Sequence, residues 1–236
     1  MRLLFKTILW ALALTAALLQ NAKSAERTIR ILAFGDSLTA GYGVPQGMDF
    51  PHALERALKG KGLNVAILNA GVSGDTSAGG LARLDWSLAD ARNGPDAAIV
   101  ELGANDGLRG LAPAEMEKNL DGILGKLKAR GIPVLLAGMK SPRNLGASYA
   151  AEYDAVFPRL AKKYGVLFYP FFLENVALNR ELIQPDGLHP NPKGVDIIVK
   201  NITPLAVKLV QQAQGTPAAA RTPAPAGTPA AAQSAR

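Results

Sequence analysis

Five short, largely apolar runs recur along the middle of the chain, at residues 31–34, 65–68, 97–102, 134–137 and 166–169. Runs of this length with little polar alternation are expected of strands covered on both faces. Between them lie longer segments whose apolar residues recur at helical spacing, at roughly 51–61, 77–91, 113–129, 148–164 and 192–214. Strand and helix in regular alternation predict an α/β fold of three layers, α/β/α, around a five-stranded parallel sheet. In such sheets ligands bind beyond the carboxyl ends of the strands, where the strand order reverses.

The polar, glycine-rich stretches fall where that rule asks for them. Gly35-Asp36-Ser37 follows the first run, Asn69 to Asp75 the second, and Gly103-Ala104-Asn105-Asp106-Gly107 the third. Asp186-Gly187-Leu188-His189-Pro190 lies just before the last helix. All four are expected to meet on one rim of the sheet.

The two ends follow neither pattern. Arg2 and Lys6 precede an apolar run over residues 7–19, followed by Ala22-Lys23-Ser24-Ala25. This reads as a secretory leader over residues 1–24, with cleavage after Ser24 placing small residues at both key positions. The apolar run is well short of the roughly 20 residues that cross a bilayer, so no stable membrane span is expected after cleavage. Residues 215–236 hold nine alanines and four prolines with no acidic or large apolar side chain, and are expected to be a disordered tail. The domain between them is expected to span residues 25–214.

Trimming the ends also removes most of the basic charge. The formal charge of +7 includes Arg2, Lys6, Lys23, Arg221 and Arg236, so the middle carries about +2. No basic cluster suited to nucleic acid stands out there. With no cysteine, stability rests on the core alone. The expected location is periplasmic or secreted, and the expected state monomeric.

Within the rim the chemistry narrows to few residues. A serine hydroxyl is a weak nucleophile unless an imidazole takes its proton and a carboxylate orients that imidazole. The chain has two histidines, His52 and His189, each with an aspartate three residues before it; His52 sits early in a predicted helix, whereas His189, with Asp186, lies in the turn before the last helix that is expected on the rim. Ser37, at a strand end, is the candidate nucleophile. Acyl transfer also needs donors for an oxyanion, and the Ser37 N–H, the Gly74 N–H and the Asn105 side-chain amide are the candidates.

Four blocks carry these residues in order: Gly-Asp-Ser-Leu-Thr-Ala-Gly-Tyr from 35 to 42, Ser-Gly-Asp-Thr-Ser from 73 to 77, Glu-Leu-Gly-Ala-Asn-Asp-Gly-Leu-Arg-Gly from 101 to 110, and Asp-Gly-Leu-His-Pro-Asn from 186 to 191. Together they resemble the SGNH (GDSL) hydrolase family, and within it the periplasmic thioesterase, lysophospholipase and arylesterase branch of Gram-negative bacteria. The resemblance covers residues 28–210 and implies a flavodoxin-like fold. It also implies Ser37 as nucleophile, His189 as general base and then acid, Asp186 as its orienting partner, and an oxyanion hole of Ser37, Gly74 and Asn105. No cofactor and no metal are implied. The loop 107–111 is implied to move over an acyl chain. Leu108, Arg109, Leu111, Met139 and Leu145 are the candidate substrate-binding residues, and the expected partner is a small acyl ester or lipid.

Other readings of the same residues remain. Asp36 can brace its loop through backbone amides, Asn69 can serve as a supporting hydrogen-bonding group or simply end a strand, and His52 reads as structural. A carbohydrate O-acetyl esterase of the same family, a metal-dependent phosphoesterase built on Asp36, Asp75, Asp106 and His189, and a non-catalytic binding module are the rivals. Ser73 misses the G-x-S-x-G elbow of the α/β-hydrolases by one position.

Overall fold

The apolar runs pair into one parallel sheet of five strands: β1 (Ile29–Gly35), β2 (Val65–Gly71), β3 (Ala97–Glu101), β4 (Val134–Ala137) and β5 (Leu167–Tyr169). The structure is a computed structural model and describes residues 27–89 and 94–216. The expected leader at 1–24 lies outside the described residues. So does the expected tail, apart from Gly215, which ends the last helix, and Thr216, which caps it.

The strand order is β2-β1-β3-β4-β5, so the chain reverses direction of growth between β1 and β3. A crevice opens at that point because the connections leaving β1 and β3 run to opposite faces. One face carries α2 (Phe50–Lys59) and α7 (Pro192–Gly215), which pack on each other. The other carries α3 (Ser77–Ala89), α5 (Pro113–Ala129) and α6 (Ala147–Tyr164), packed in that order. Two short helices sit at strand ends, α1 (Ser37–Ala40) after β1 and α4 (Ala104–Leu108) after β3.

The expectation of strands buried on both faces holds at the centre and fails at the edges. All residues of β3 and β4 are buried, whereas β2 is buried only at Val65 and β5 only at Tyr169. Edge strands have one neighbour, so their apolar runs meet solvent on the open side. Residues 69–71, expected as loop, belong to β2, because its pairing with β1 continues to Gly35 opposite Gly71. The short helices escaped the periodicity reading, since each is little more than one turn.

Two glycines let the end of β1 close down on its neighbours. A Cβ on Gly35 would lie 2.0 Å from Thr39 Oγ1 and 2.6 Å from the Glu101 carbonyl, and one on Gly71 would lie 2.2 Å from the Ala40 nitrogen. Neither position has room for a side chain, so the turn carrying Ser37 sits directly on β2 and β3.

Glu101, the last residue of β3, is fully buried beneath that turn. Its Oε2 accepts the Thr39 hydroxyl at 2.7 Å, while its Oε1 has no hydrogen-bond partner among the described residues. Burial, and then the charge of Asp36, push its carboxyl well above the usual range; the Thr39 hydroxyl and nearby amides oppose this without reversing it. A lone buried oxygen costs less on a neutral acid than on a carboxylate.

Because the folded state keeps this proton after the unfolded chain has lost it, Glu101 contributes stability in full below about pH 4.3 and progressively less as pH rises towards its folded value. Melting temperatures measured upward from about pH 4.3 should therefore fall less steeply in Glu101→Gln than in the parent. Equal slopes would refute a neutral Glu101.

Candidate active site

Asp36 makes the turn that presents Ser37. Its Oδ1 accepts the Leu38 amide at 3.0 Å, capping α1, and Gly41 closes the helix in the left-handed conformation at φ 84°. Asp36 is fully buried. Burial raises its carboxyl to about 6, against the Leu38 amide, Asn105 and His189, which favour the ionised form. The bracing role expected for Asp36 therefore accounts for its Oδ1.

The last catalytic candidates come from the turn ahead of α7. Asp186 Oδ1 accepts the amides of Leu188 at 2.9 Å and His189 at 3.0 Å, and its Oδ2 meets His189 Nδ1 at 2.6 Å. Partial burial raises the Asp186 carboxyl, but the two amides, the ring hydrogen bond and the imidazole outweigh it and hold the group at about 2. It is a carboxylate at neutral pH. His189 Nε2 then lies 2.8 Å from Ser37 Oγ, joining residues 152 positions apart. The helix itself is capped by Asn191, whose side chain accepts the Gly194 amide, with Pro192 in the first turn.

Two residues that sequence reasoning passed over hold this turn to the nucleophile. Gln184 donates to the Tyr42 carbonyl at 2.8 Å and the Pro190 carbonyl at 2.9 Å, and its own amide donates to the His189 carbonyl at 2.8 Å. The Tyr42 ring packs on the imidazole with centroids 4.6 Å apart. Tyr42 was legible as part of the first block; Gln184 had no signal beyond its nearness to Asp186.

The three oxyanion candidates also converge. Among the described residues, no acceptor takes the Ser37 or the Gly74 amide, so both remain available. Asn105 Nδ2 differs, because it donates to Asp36 Oδ2 at 3.1 Å and to the Asp75 carbonyl at 2.9 Å. Both neighbours are acceptors, which fixes the amide with nitrogen inward. An oxyanion must share one of those hydrogens or displace the weaker bond.

Around these groups, long side chains tie the blocks together. Arg83 pairs with Asp75, donates to the Gly35 carbonyl at 2.9 Å and lies 4.2 Å over the Phe34 ring. Asp106 accepts both the amide and the hydroxyl of Ser77, fixing the start of α3. Asn69 accepts the Gly71 amide and reaches the Ala40 carbonyl at 3.4 Å, a strand-end role. His52 binds Asp49, the cap of α2, away from the triad. The carboxylates of the phosphoesterase reading are thus spent on separate partners. Among the described residues no three His, Asp or Glu gather to hold an ion.

A cavity of about 600 Å³ opens beside Ser37 and His189. Of the candidate substrate-binding residues, Leu108 and Met139 line it, together with Leu38, Pro142, Phe171 and Ile183. Arg109, Leu111 and Leu145 do not. Arg109 gives its guanidinium to the Gly74 carbonyl at 2.7 Å, so it clasps the oxyanion loop. Leu111 stands at the surface, where its carbonyl accepts the Tyr149 hydroxyl, and Leu145 packs near Gly110. Sequence position alone did not separate a loop's inner from its outer side chains.

Residues 33–197 match the model of the GDSL-like Lipase/Acylhydrolase family. Esterase TesA of Pseudomonas aeruginosa is 37% identical over 189 residues, covering 80% of this chain and 92% of the relative. Thioesterase 1/protease 1/lysophospholipase L1 of Escherichia coli K12 is 40% identical over 179 residues, covering 74% and 84%. Among solved structures, AlinE4, an SGNH-hydrolase family esterase, is 51% identical with a TM-score of 0.67, covering 78% of this chain and 98% of that one. On these matches, over a five-stranded parallel sheet, the chain belongs to the GDSL-like lipase/acylhydrolase family and is a carboxylic ester hydrolase.

Proposed function

We propose that Ser37, His189 and Asp186 hydrolyse acyl esters through an acyl-enzyme on Ser37. The observation that carries this is the unbroken line from Asp186 Oδ2 through the imidazole to Ser37 Oγ, at 2.6 and 2.8 Å, beside two amides with no acceptor. His189 Nε2 takes the hydroxyl proton as Oγ attacks the carbonyl carbon. The Asp186 carboxylate holds Nδ1–H and stabilises the imidazolium. The oxyanion receives the Ser37 and Gly74 amides and an Asn105 hydrogen. Collapse breaks the ester bond, and the leaving alcohol or thiol takes the proton from His189. Water then gives its proton to His189 and attacks the acyl carbon, and the proton returns to Ser37 as the acid leaves.

The apolar walls at Leu108, Met139, Phe171 and Ile183 suit an acyl chain or aryl group, which favours aryl esters and lysophospholipids. The relatives named esterase and thioesterase/lysophospholipase support that range. The reading of residues 1–24 as a leader supports export to the periplasm, where lysophospholipids are a more accessible substrate than cytosolic acyl-CoA thioesters. The enzyme acts as a monomer, without cofactor.

A fluorophosphonate probe should label Ser37, and Ser37→Ala should lose labelling together with turnover of p-nitrophenyl esters, by about a thousandfold or more in kcat. Full activity in that variant would refute the mechanism. Asn105→Ala should lower kcat by about 100- to 1000-fold with little change in KM, the signature of a donor that acts on the oxyanion. A matching rise in KM would instead assign Asn105 to substrate binding. Across p-nitrophenyl esters of increasing chain length, kcat/KM should rise from acetate to medium chains and exceed that for acetylated xylan. Preference for the sugar acetate would move the enzyme to the carbohydrate esterases.

A further inference from the structure

The mouth of the catalytic cavity is unusually apolar for exposed surface. Tyr42 is 55% exposed there, Leu108 52% and Leu188 47%, while Leu178 is 93% exposed. Leu178 is also one of two non-glycine residues with positive φ among those described, at 66°. A leucine is strained in the left-handed region and gains nothing from full exposure to water. Strain of this kind persists where surrounding structure enforces it, and it clusters at functional sites. Here it holds an apolar side chain outward beside the opening to Ser37.

Two cations share the same mouth. Lys140 lies 3.4 Å from Asp154 and remains half exposed, and Arg143 is exposed with no carboxylate partner among the described residues. An apolar rim with basic residues beside it is complementary to a lipid surface that carries negative charge. A second copy of the chain fits less well, because a twofold contact across this mouth would set the same cations against each other.

We propose that the mouth of the cavity is a docking surface for an anionic phospholipid bilayer, with Leu178 entering the acyl region and Arg143 and Lys140 meeting lipid phosphates. The inference rests on the esterase reading only for its purpose, delivery of an acyl ester from the lipid phase to Ser37. The attraction itself depends on the rim and is independent of turnover.

The test is co-sedimentation of the full chain, carrying Ser37→Ala to prevent hydrolysis, with phosphatidylcholine vesicles and with the same vesicles containing phosphatidylglycerol. Any contribution of residues 1–24 is common to all variants and cancels in the comparison. The chain should partition onto the anionic vesicles. Leu178→Asn should weaken that partition by about tenfold or more, the loss expected for one buried leucine. Asparagine tolerates the left-handed conformation, so the melting temperature should hold or rise. Arg143→Ser should weaken binding by about fivefold on anionic vesicles alone. With Ser37 intact, the parent should hydrolyse dissolved p-nitrophenyl butyrate in the absence of vesicles.

Failure of the parent to bind anionic vesicles would overturn the proposal, as would undiminished binding by Leu178→Asn. A concentration-dependent dimer abolished by Leu178→Asn would assign the rim to a second copy instead. Loss of turnover on the dissolved ester by the parent would count against the esterase reading and leave the vesicle result standing.

Discussion

The Asp36 carboxylate is the group on which the site depends, because it serves two parts of it at once. One oxygen caps the helix that presents Ser37, and the other holds the Asn105 amide that the oxyanion is proposed to share. Nucleophile and donor come from different strands, yet a single buried group sets their separation. Burial makes its charge expensive, and the hydrogen bonds it accepts are what keep it ionised near neutral pH. Directly beneath, burial and the charge of Asp36 push the Glu101 carboxyl well above the usual range, which disfavours a second negative charge beside the first.

Around that centre, positioning is done by side chains that cross between loops. Arg83 joins the second block to the end of β1, Arg109 joins the third block to Gly74, and Gln184 joins the His189 turn to Tyr42. Each spends charged or amide donors on backbone carbonyls at strand ends and in the loops beyond them. Loops at strand ends have no ladder of their own, so such bonds replace it. The sheet supplies a rigid edge, and these clasps convert it into fixed angles. The same edge leaves Tyr42, Leu108, Leu178 and Leu188 around the opening, so the cavity and its apolar rim share one scaffold.

Much of this was legible in the sequence, for identifiable reasons. The five strands follow from apolar runs, and helices such as Pro113–Ala129 follow from their periodicity and an opening proline. The proposed triad follows from chemical need and placement, since of the two histidines only His189, with Asp186, falls among the strand-end stretches that carry Ser37. Less was legible where a residue's meaning depends on its neighbours in space. The half-buried β2 looks as apolar as the central β3 because an edge is defined by a missing partner. Arg109 and Leu111 sit beside Leu108 in the chain, yet only Leu108 lines the cavity. Gln184 and Arg83 belong to no motif, and their roles exist only once distant loops meet.

By itself, the sequence determined which chemistry was available: a serine at a strand end, a histidine with an aspartate in a turn on the same rim, amides at glycine-rich turns, and strands and helices in an order that brings them to one edge. Those are properties of composition and local periodicity, which act over a few residues. The tertiary structure decided the rest: the 2.8 Å contact across 152 residues, the raised Glu101 carboxyl, the hydrogens already engaged on Asn105, and the outward Leu178. Each of these depends on burial or on separations of a few ångströms between residues far apart in the chain, and neither quantity exists until the sheet has closed.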